Sequence, residues 1–341
     1  MKVLVTGHHG YIGSVLAPAV AAAGHQVAGL DTYYYRGCDF GSDVEWQPAR
    51  SLDVRDVRPV DLEGLDAVVH LAALSNDPVG DLSPNWTYEI NLDASVALAR
   101  SAREAGVRRF VFASSCSMYG AAGDDDALDE TAPLRPLTPY AESKVRAEAA
   151  ILELATDEFA PVSMRNATAY GVSPRLRLDI VLNNLVAWAH TTGAVRLQSD
   201  GTAWRPLVHI RDIAEAALTL LQAPGEAVRG EAFNIGTGEQ NYRIRDLAEE
   251  VRRRLPHCTI EFAPGASADA RSYRVDFSKF STAFPACLLE WTAERGVDEL
   301  ATAYELVGLA VGELQGERYL RLGRLKRLLG DGRLTDGLRW A

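Results

Sequence analysis

The stretch 5-VTGHHGYIGS-14 constrains the fold more than any other part of the chain. A strand-like run, Lys2–Thr6, leads into glycines spaced three apart, and an Ala-rich helical pattern, Val15–Ala23, follows. Gly7 allows a tight turn, Gly10 lets the backbone approach a pyrophosphate, and Gly13 lets the helix pack on the strand. A bound anion then sits on the positive end of the helix. The next strand-like run ends in Leu30-Asp31. A carboxylate there accepts both hydroxyls of an adenosine ribose and repels a 2′-phosphate, which favours NAD over NADP. Asp53, in 51-SLDVRD-56, ends the segment after that and is placed to meet the adenine amine, the alternative being a surface carboxylate.

The same alternation continues along the first half. Gln26–Leu30, Ala67–Leu71 and Arg109–Ala113 are short Val-, Leu- and Phe-containing runs of the kind buried on both faces of a sheet. Helical patterns such as Ser95–Ala105 separate them, and a long one spans about 140–155 before two further strands, Pro161–Arg165 and Glu231–Ile235. Strand and helix in turn imply right-handed crossovers and a parallel sheet. From about residue 173 the alternation weakens, with loop-like stretches 173-SPRLRLD-179 and 198-QSDGTAWRP-206 and a short helix at 245–255. The expected fold is α/β: a Rossmann-type doubly wound parallel sheet with a smaller interleaved C-terminal substrate lobe. The boundaries expected are 1–172 for the NAD-binding part (with part of 205–240 returning to it), 173–300 for most of the substrate lobe, and 301–341 for a helical tail. The basic amphipathic pattern 318-RYLRLGRLKRLL-329 is expected to pack on its own protein, with a partner helix as the other reading.

Composition removes several classes. A net charge of −11 argues against general nucleic-acid binding, which draws on Lys and Arg at phosphates. The four cysteines (Cys38, Cys116, Cys258, Cys287) show no C-x-x-C, so neither a disulfide framework nor a zinc site is expected. His70 has no second ligand at metal spacing and is expected to satisfy backbone groups. With no apolar run of membrane length and no signal-peptide pattern, a cytoplasmic protein without a membrane partner is expected.

The stretch 139-PYAESKVRAE-148 places Tyr140 and Lys144 one turn apart on one helix face. With 12 tyrosines and only four lysines against 31 arginines, a chance Tyr-x-x-x-Lys is expected well under once. An ammonium beside a phenol favours phenolate, so the tyrosine can act as a base nearer neutral pH, and Lys can hold a nicotinamide ribose.

With these residues together, the chain resembles the extended short-chain dehydrogenase/reductases, and within them the nucleotide-sugar epimerases and dehydratases of UDP-galactose 4-epimerase type. Carrying the likeness are Gly7, Gly10, Gly13, Asp31, 70-HLAA-73, Asn91, the serine cluster in 111-VFASSCSMYG-120, Tyr140 and Lys144, then 201-GTAWRPLVHIRDIA-214 and 233-FNIGTG-238. The resemblance implies NAD as cofactor, held also by Tyr11, Ile12, Val54, Leu71, Ala72 and Ala73. A nucleotide-diphosphate sugar is the implied substrate, with Arg205 on its phosphate, Asn184 and Leu185 along the diphosphate, and Ser75 also at the site. A homodimer is implied as well.

The serine cluster separates the chemistries. Aligned on Tyr119-Gly120, the 4,6-dehydratases carry Thr-Asp-Glu where this chain has Ser115-Cys116-Ser117. Elimination needs an acid and a base there, and Cys116 and Ser117 replace them poorly. UDP-glucuronate decarboxylases resemble one another in a Glu at the Ser117 position, and GDP-fucose synthases place a Cys there. The small hydroxyl set is closest to simple 4-epimerisation, with Tyr140 as acid/base and Ser115, together with Ser117, on the sugar oxygen. A 4-ketoreductase or dehydratase of the same family is the alternative, and a non-catalytic dinucleotide sensor the alternative of another class. Cys116 reads either as a catalytic thiol or as a small packed side chain; Met118 and Tyr119 read as packing. Three departures stand out. Thr168 occupies a position where relatives carry Asn. Ala266 replaces an Arg before Asp269, leaving Arg271 to serve. The segment 75-SNDPVGD-81 and the arginine pair Arg175 and Arg177 do not match the galactose enzymes, and the arginines either meet a charged or unusual sugar or are solvated loop residues.

Overall fold

The computed structural model describes all residues except 42–45, 47, 76 and 122–126 and the side chain of Asp81, so part of the stretch 75–81 lies outside the described residues. The strands that position the site are β1 (Lys2–Thr6), β2 (Gln26–Asp31), β3 (Ala49–Ser51), β4 (Ala67–His70), β5 (Arg109–Ser115), β6 (Ala160–Asn166), β7 (Thr168–Tyr170), β8 (Trp204–His209), β9 (Glu231–Ile235) and β10 (Asn241–Arg243). Seven of them form one parallel sheet in the order β9-β6-β5-β4-β1-β2-β3. The order reverses between β1 and β4, and a crevice opens beyond the carboxyl ends of the strands at such a switch point.

Helices cover both faces: α1 (Gly13–Ala22), α2 (Ala94–Glu104), α3 (Pro139–Leu152), α4 (Val181–Thr192), α5 (Ile210–Gln222), α6 (Ala293–Val307) and α7 (Arg321–Gly330) are the longer ones that bear on the site. Strand alternation sorts the core. Val3, Val5, Val69 and Val111 pack with Leu16 and Val20 of α1 and Leu220 of α5 on one face. Leu4, Val68, Phe110 and Phe112 pack with Leu98 of α2 and Ile151 of α3 on the other. Each such fully buried side chain is worth about 2 kcal/mol of transfer free energy. The pattern at 318–329 becomes α7, whose Leu325 and Leu328 are buried in the second cluster, so it packs on its own protein.

A second, smaller body carries β7, β8 and β10 as a three-stranded sheet, with a third core around Leu176, Leu182, Leu185, Leu207, Leu247 and Leu300. Where a loop was expected across 198–206, β8 already begins at Trp204, pairing antiparallel with β10 and parallel with β7. The composition of that stretch carries no alternation; the pairing comes from strands distant in sequence. No helix among the described residues is long and apolar enough to cross a membrane.

Candidate active site

The crevice at the switch point holds a cavity of about 710 Å³ lined from both bodies. At one end lies the glycine loop. Gly7 has φ +71°, and its N–H donates to the Leu30 carbonyl at 2.8 Å. A Cβ there would lie 2.7 Å from the Ala72 nitrogen, and one at Gly13 would lie 2.1 Å from the Gly7 oxygen. Only glycine lets β1, β4 and the start of α1 approach this closely. Gly7, Gly10, Tyr11, Ile12 and Gly13 line the cavity, as do Leu71, Ala72 and Ala73 after β4.

Asp31 ends β2 and lines the same end. Its carboxylate accepts from the His9 N–H at 3.1 Å and the Tyr33 N–H at 2.8 Å. Burial nevertheless raises its pKa, against those two bonds and the neighbouring His8. Asp53 and Val54 also line the cavity. Asp53 is no free surface carboxylate: Arg55 grips it at 2.7 and 3.0 Å. Burial pushes the Asp53 carboxyl up, but Arg55 outweighs it and the net shift is downward.

Asn91 does not line the cavity, contrary to the direct cofactor contact expected. It is fully buried in a π-helical turn, Tyr88–Asp93, a device common near functional sites. Its Oδ1 accepts from the Leu74 N–H at 2.8 Å and its Nδ2 donates to the Leu74 carbonyl at 3.0 Å, so it holds the cavity-lining segment 71–75 in place. His70 bonds side chains rather than backbone: Nδ1 meets Thr6 Oγ1 at 2.6 Å and Nε2 meets Ser95 Oγ at 2.8 Å. Burial and Lys144 pull its pKa to about 3, so it stays neutral.

The floor is made by β5 and α3. Thr138 caps α3 by accepting from the Ala141 N–H at 3.2 Å, with Pro139 at the first helical position, and this fixes where Tyr140 and Lys144 project. Both residues line the cavity with Ser115 and Ser117. Burial pushes the Tyr140 phenol up to about 12; a hydrogen bond with Ser115 and the charge of Arg177 pull it down, and Asp77 pushes it up. The bond that Lys144 makes goes to the strand. Its Nζ donates to the Ala113 carbonyl at 2.7 Å and lies 4.6 Å from the Phe112 ring centre. Burial pulls its pKa to about 7, with Glu148 opposing.

Cys116 corrects the expectation of a catalytic thiol. It is 1% exposed in the core against β6, does not line the cavity, and donates to the Arg165 carbonyl at 3.0 Å. Burial holds its thiol well above the ordinary range. The turn at Cys116–Tyr119 points Ser115 and Ser117 one way and Cys116 the other. Met118 and Tyr119 are fully buried, the Tyr119 hydroxyl tied to Asn234 and Arg165.

At the far end, Thr168, Ser75, Arg177, Arg205 and Arg271 line the cavity. Asp269 stands behind two of the arginines, meeting Arg205 at 2.7 Å and Arg271 at 3.0 and 3.1 Å. Arg177 is neither solvated nor free: it holds Asp179 at 2.9 and 3.1 Å and donates to the Ser75 hydroxyl at 2.9 Å.

Three residues expected at the substrate lie elsewhere. Arg175 is 1% exposed and is turned onto His9 and Asp39, away from the cavity. Asn184 gives its amide to the Leu178 carbonyl at 2.8 Å, and Leu185 packs in the core of the smaller body. Their neighbour Asn183, fully buried, ties the Tyr11 hydroxyl at 3.1 Å and the Arg177 carbonyl at 3.0 Å. Sequence reasoning also missed Asp77, whose carboxylate accepts from Thr138 at 2.9 Å and Arg271 at 2.5 Å. It falls within the unmatched stretch 75–81, and only the fold joins it to residues 138 and 271. Among the described residues no cluster of His, Cys, Asp and Glu could hold a metal.

A glycine turn at the switch point, a ribose-type carboxylate and a Ser-Tyr-Lys floor define a dinucleotide-dependent enzyme of the extended short-chain dehydrogenase/reductase class. The chain matches the model of the NAD dependent epimerase/dehydratase family over residues 3–236 and belongs to that family. It is 30% identical over 273 residues to the UDP-glucose 4-epimerase of Streptomyces lividans, covering 75% of this chain and 82% of that one. To the UDP-glucose 4-epimerase of Bacillus subtilis (strain 168) it is 26% identical over 330 residues, covering 88% and 94%. Among solved structures, MoeE5 in complex with UDP-glucose and NAD is 26% identical, with a TM-score of 0.76 over 90% of this chain and 99% of that chain. NAD is the cofactor of the family, and the site fits it: the glycine loop leaves no room for side chains, and Asp31 stands where a 2′-phosphate would be repelled.

Proposed function

We propose that the protein is an NAD-dependent nucleotide-diphosphate-sugar epimerase that inverts C4 through a transient 4-keto sugar. The observation that carries this reading is the chemistry of the floor. Among the described residues Tyr140 shares the floor with the hydroxyls of Ser115 and Ser117 and with no carboxyl at 116 or 117, because position 116 is a buried thiol and position 117 a serine whose hydroxyl lacks a protein partner. The carboxylates that line the cavity are engaged: Asp31 by backbone N–H groups, Asp53 by Arg55, Asp77 by Thr138 and Arg271, Asp179 by Arg177. Among the described residues, an elimination needing a paired acid and base finds no such pair at the floor.

In this reading Tyr140 takes the proton of the sugar C4 hydroxyl and later returns it to the same oxygen, and C4 inverts because the 4-keto sugar turns over before it receives hydride on its other face. Ser115 holds the phenol and the sugar oxygen in one plane of approach through both half-reactions. Lys144, anchored on Ala113, is placed for the nicotinamide ribose; Arg205 and Arg271, with Asp269 behind them, are placed for the diphosphate. NAD supplies the hydride acceptor and then the hydride donor, so the cycle has no net redox change. UDP-glucose is the substrate class that the named relatives support. The proposal includes a homodimer, which sedimentation of the purified protein measures directly.

The test is a C4 assay by proton NMR on UDP-glucose and UDP-galactose, run on protein purified without added cofactor. The expected result is interconversion with NAD retained, seen by mass spectrometry. Loss of all cofactor on gel filtration, with turnover only on added NAD(P)H, would instead identify a 4-ketoreductase.

A further inference from the structure

One cation at the cofactor end of the cavity is announced by no motif. Arg321, the first residue of α7, lines the cavity and is 5% exposed. Its Nη2 donates to the Arg175 carbonyl at 2.8 Å, and its guanidinium lies 4.2 Å from the centre of the Tyr35 ring, also in the cavity wall. Its Nη1 is buried and has no hydrogen-bond partner. Leaving a buried donor unsatisfied costs on the order of 1–3 kcal/mol, more for a charged group. An ordered arrangement that keeps one inside a ligand cavity points to an acceptor on the ligand.

Its neighbours say which ligand. Arg321 acts electrostatically on His9 of the glycine loop and on Asp31, and Tyr35, Arg177 and Asp179 act on it in turn, so it stands between the glycine loop and the Arg177–Asp179 pair. Neither His9 nor Arg175 can serve the diphosphate instead. Burial, with Arg175 and other cations nearby, pulls the His9 pKa to about 3, and Arg175 is occupied with His9 and Asp39. The position of Arg321 is also braced. The segment that follows α7 returns to the adenosine end, where Trp340 Nε1 donates to the Thr32 carbonyl at 2.6 Å. Arg55, which grips Asp53, donates to the Gly337 and Leu338 carbonyls at 2.8 and 2.9 Å.

We propose that Arg321 is a cofactor ligand: its unpartnered Nη1 donates to a diphosphate oxygen of NAD, and segment 321–341 thereby completes the cofactor site. The inference concerns the NAD cleft and does not depend on which carbon of which sugar is inverted.

The test is calorimetric titration of the cofactor-stripped protein with NAD, ADP, adenosine and UDP, for wild type, Arg321→Met and Arg321→Lys. Met preserves the apolar stem over Tyr35 and removes the donors. One charge-assisted hydrogen bond predicts about 10- to 100-fold weaker binding of NAD and ADP by Arg321→Met, with adenosine and UDP unchanged within about twofold and partial recovery in Arg321→Lys. Wild-type affinity of Arg321→Met for ADP overturns the proposal. So does an equal loss for adenosine, which marks a structural role, or a loss for UDP, which moves Arg321 to the substrate end. If Arg321→Met does not fold, hydrogen exchange on the wild-type protein decides: ADP must slow exchange across residues 321–330 more than adenosine does, and equal protection overturns the proposal.

Discussion

Lys144 and Ala113 form the anchor under the site: the buried side-chain nitrogen donates to the strand carbonyl at 2.7 Å while Tyr140, one turn earlier on α3, lines the cavity with Ser115. The two residues that the sequence pairs as one acid/base unit thus have separate partners. Each separation has a measurable consequence.

The first concerns stability against pH. Unfolded, Lys144 keeps its proton to about pH 10.4; in the cofactor-free fold burial brings its pKa to about 7. Between those values the unfolded chain binds more protons, so stability rises with pH, by at most about 1.4 kcal/mol per unit from this group. Urea unfolding of cofactor-free wild type and Lys144→Met from pH 7 to 10 is expected to diverge in the wild type's favour. Parallel curves would show that Lys144 is not desolvated.

Tyr140→Phe is expected to lower kcat by about 10²- to 10⁴-fold, the range of a lost general acid/base, with unchanged thermal stability. Ser115→Ala is expected to lose about 10-fold, as one hydrogen bond to the phenol disappears. Full turnover by Tyr140→Phe would remove the proposed mechanism.

Asp77 and Arg177 push the phenol in opposite directions. Asp77→Asn is therefore expected to move the acid limb of the kcat/KM profile to lower pH, and Arg177→Met to move it to higher pH. Shifts of the same sign in both variants would show that loop rearrangement, not charge, dominates.

Cys116 sits in the core with a thiol raised by burial. Cys116→Ala is expected to keep more than about half the activity and to lose roughly 1 kcal/mol of stability, the cost of a small buried group. Native labelling with iodoacetamide followed by peptide mass spectrometry is expected to leave it unmodified until the protein unfolds.

Beneath Cys116, Arg165 and Glu148 form a buried pair at 2.6 Å, with the Ser163 hydroxyl donating to the same carboxylate. Arg165→Met strands the Glu148 charge and is expected to cost about 3–5 kcal/mol. Replacing both residues by Met and Leu is expected to recover much of that loss, which a urea double-mutant cycle measures.

What the sequence by itself determined is local chemistry. Glycines at 7, 10 and 13 after an apolar run dictate a turn no other residue tolerates. Asp31 at a strand end and Tyr140 and Lys144 four apart on a helix follow from strand and helix periods, which are properties of a few neighbouring residues. Strand-and-helix alternation likewise implied the parallel sheet, and each of the six strands recognised belongs to it. The short pairings β3, β7 and β10 stayed illegible, because three residues carry too little period to read.

Tertiary structure decided which face each remaining side chain meets. Arg175 and Arg177 stand two apart in one loop, yet one turns onto His9 and the other into the cavity. Cys116 and Ser117 are adjacent, and a tight turn sends one into the core and leaves the other at the floor of the cavity. Asp269 joins Arg205 and Arg271, and Arg321 enters the cofactor cleft, only because elements far apart in sequence pack together. Such contacts depend on the burial of whole faces, a property of the assembled core that no short window of sequence contains.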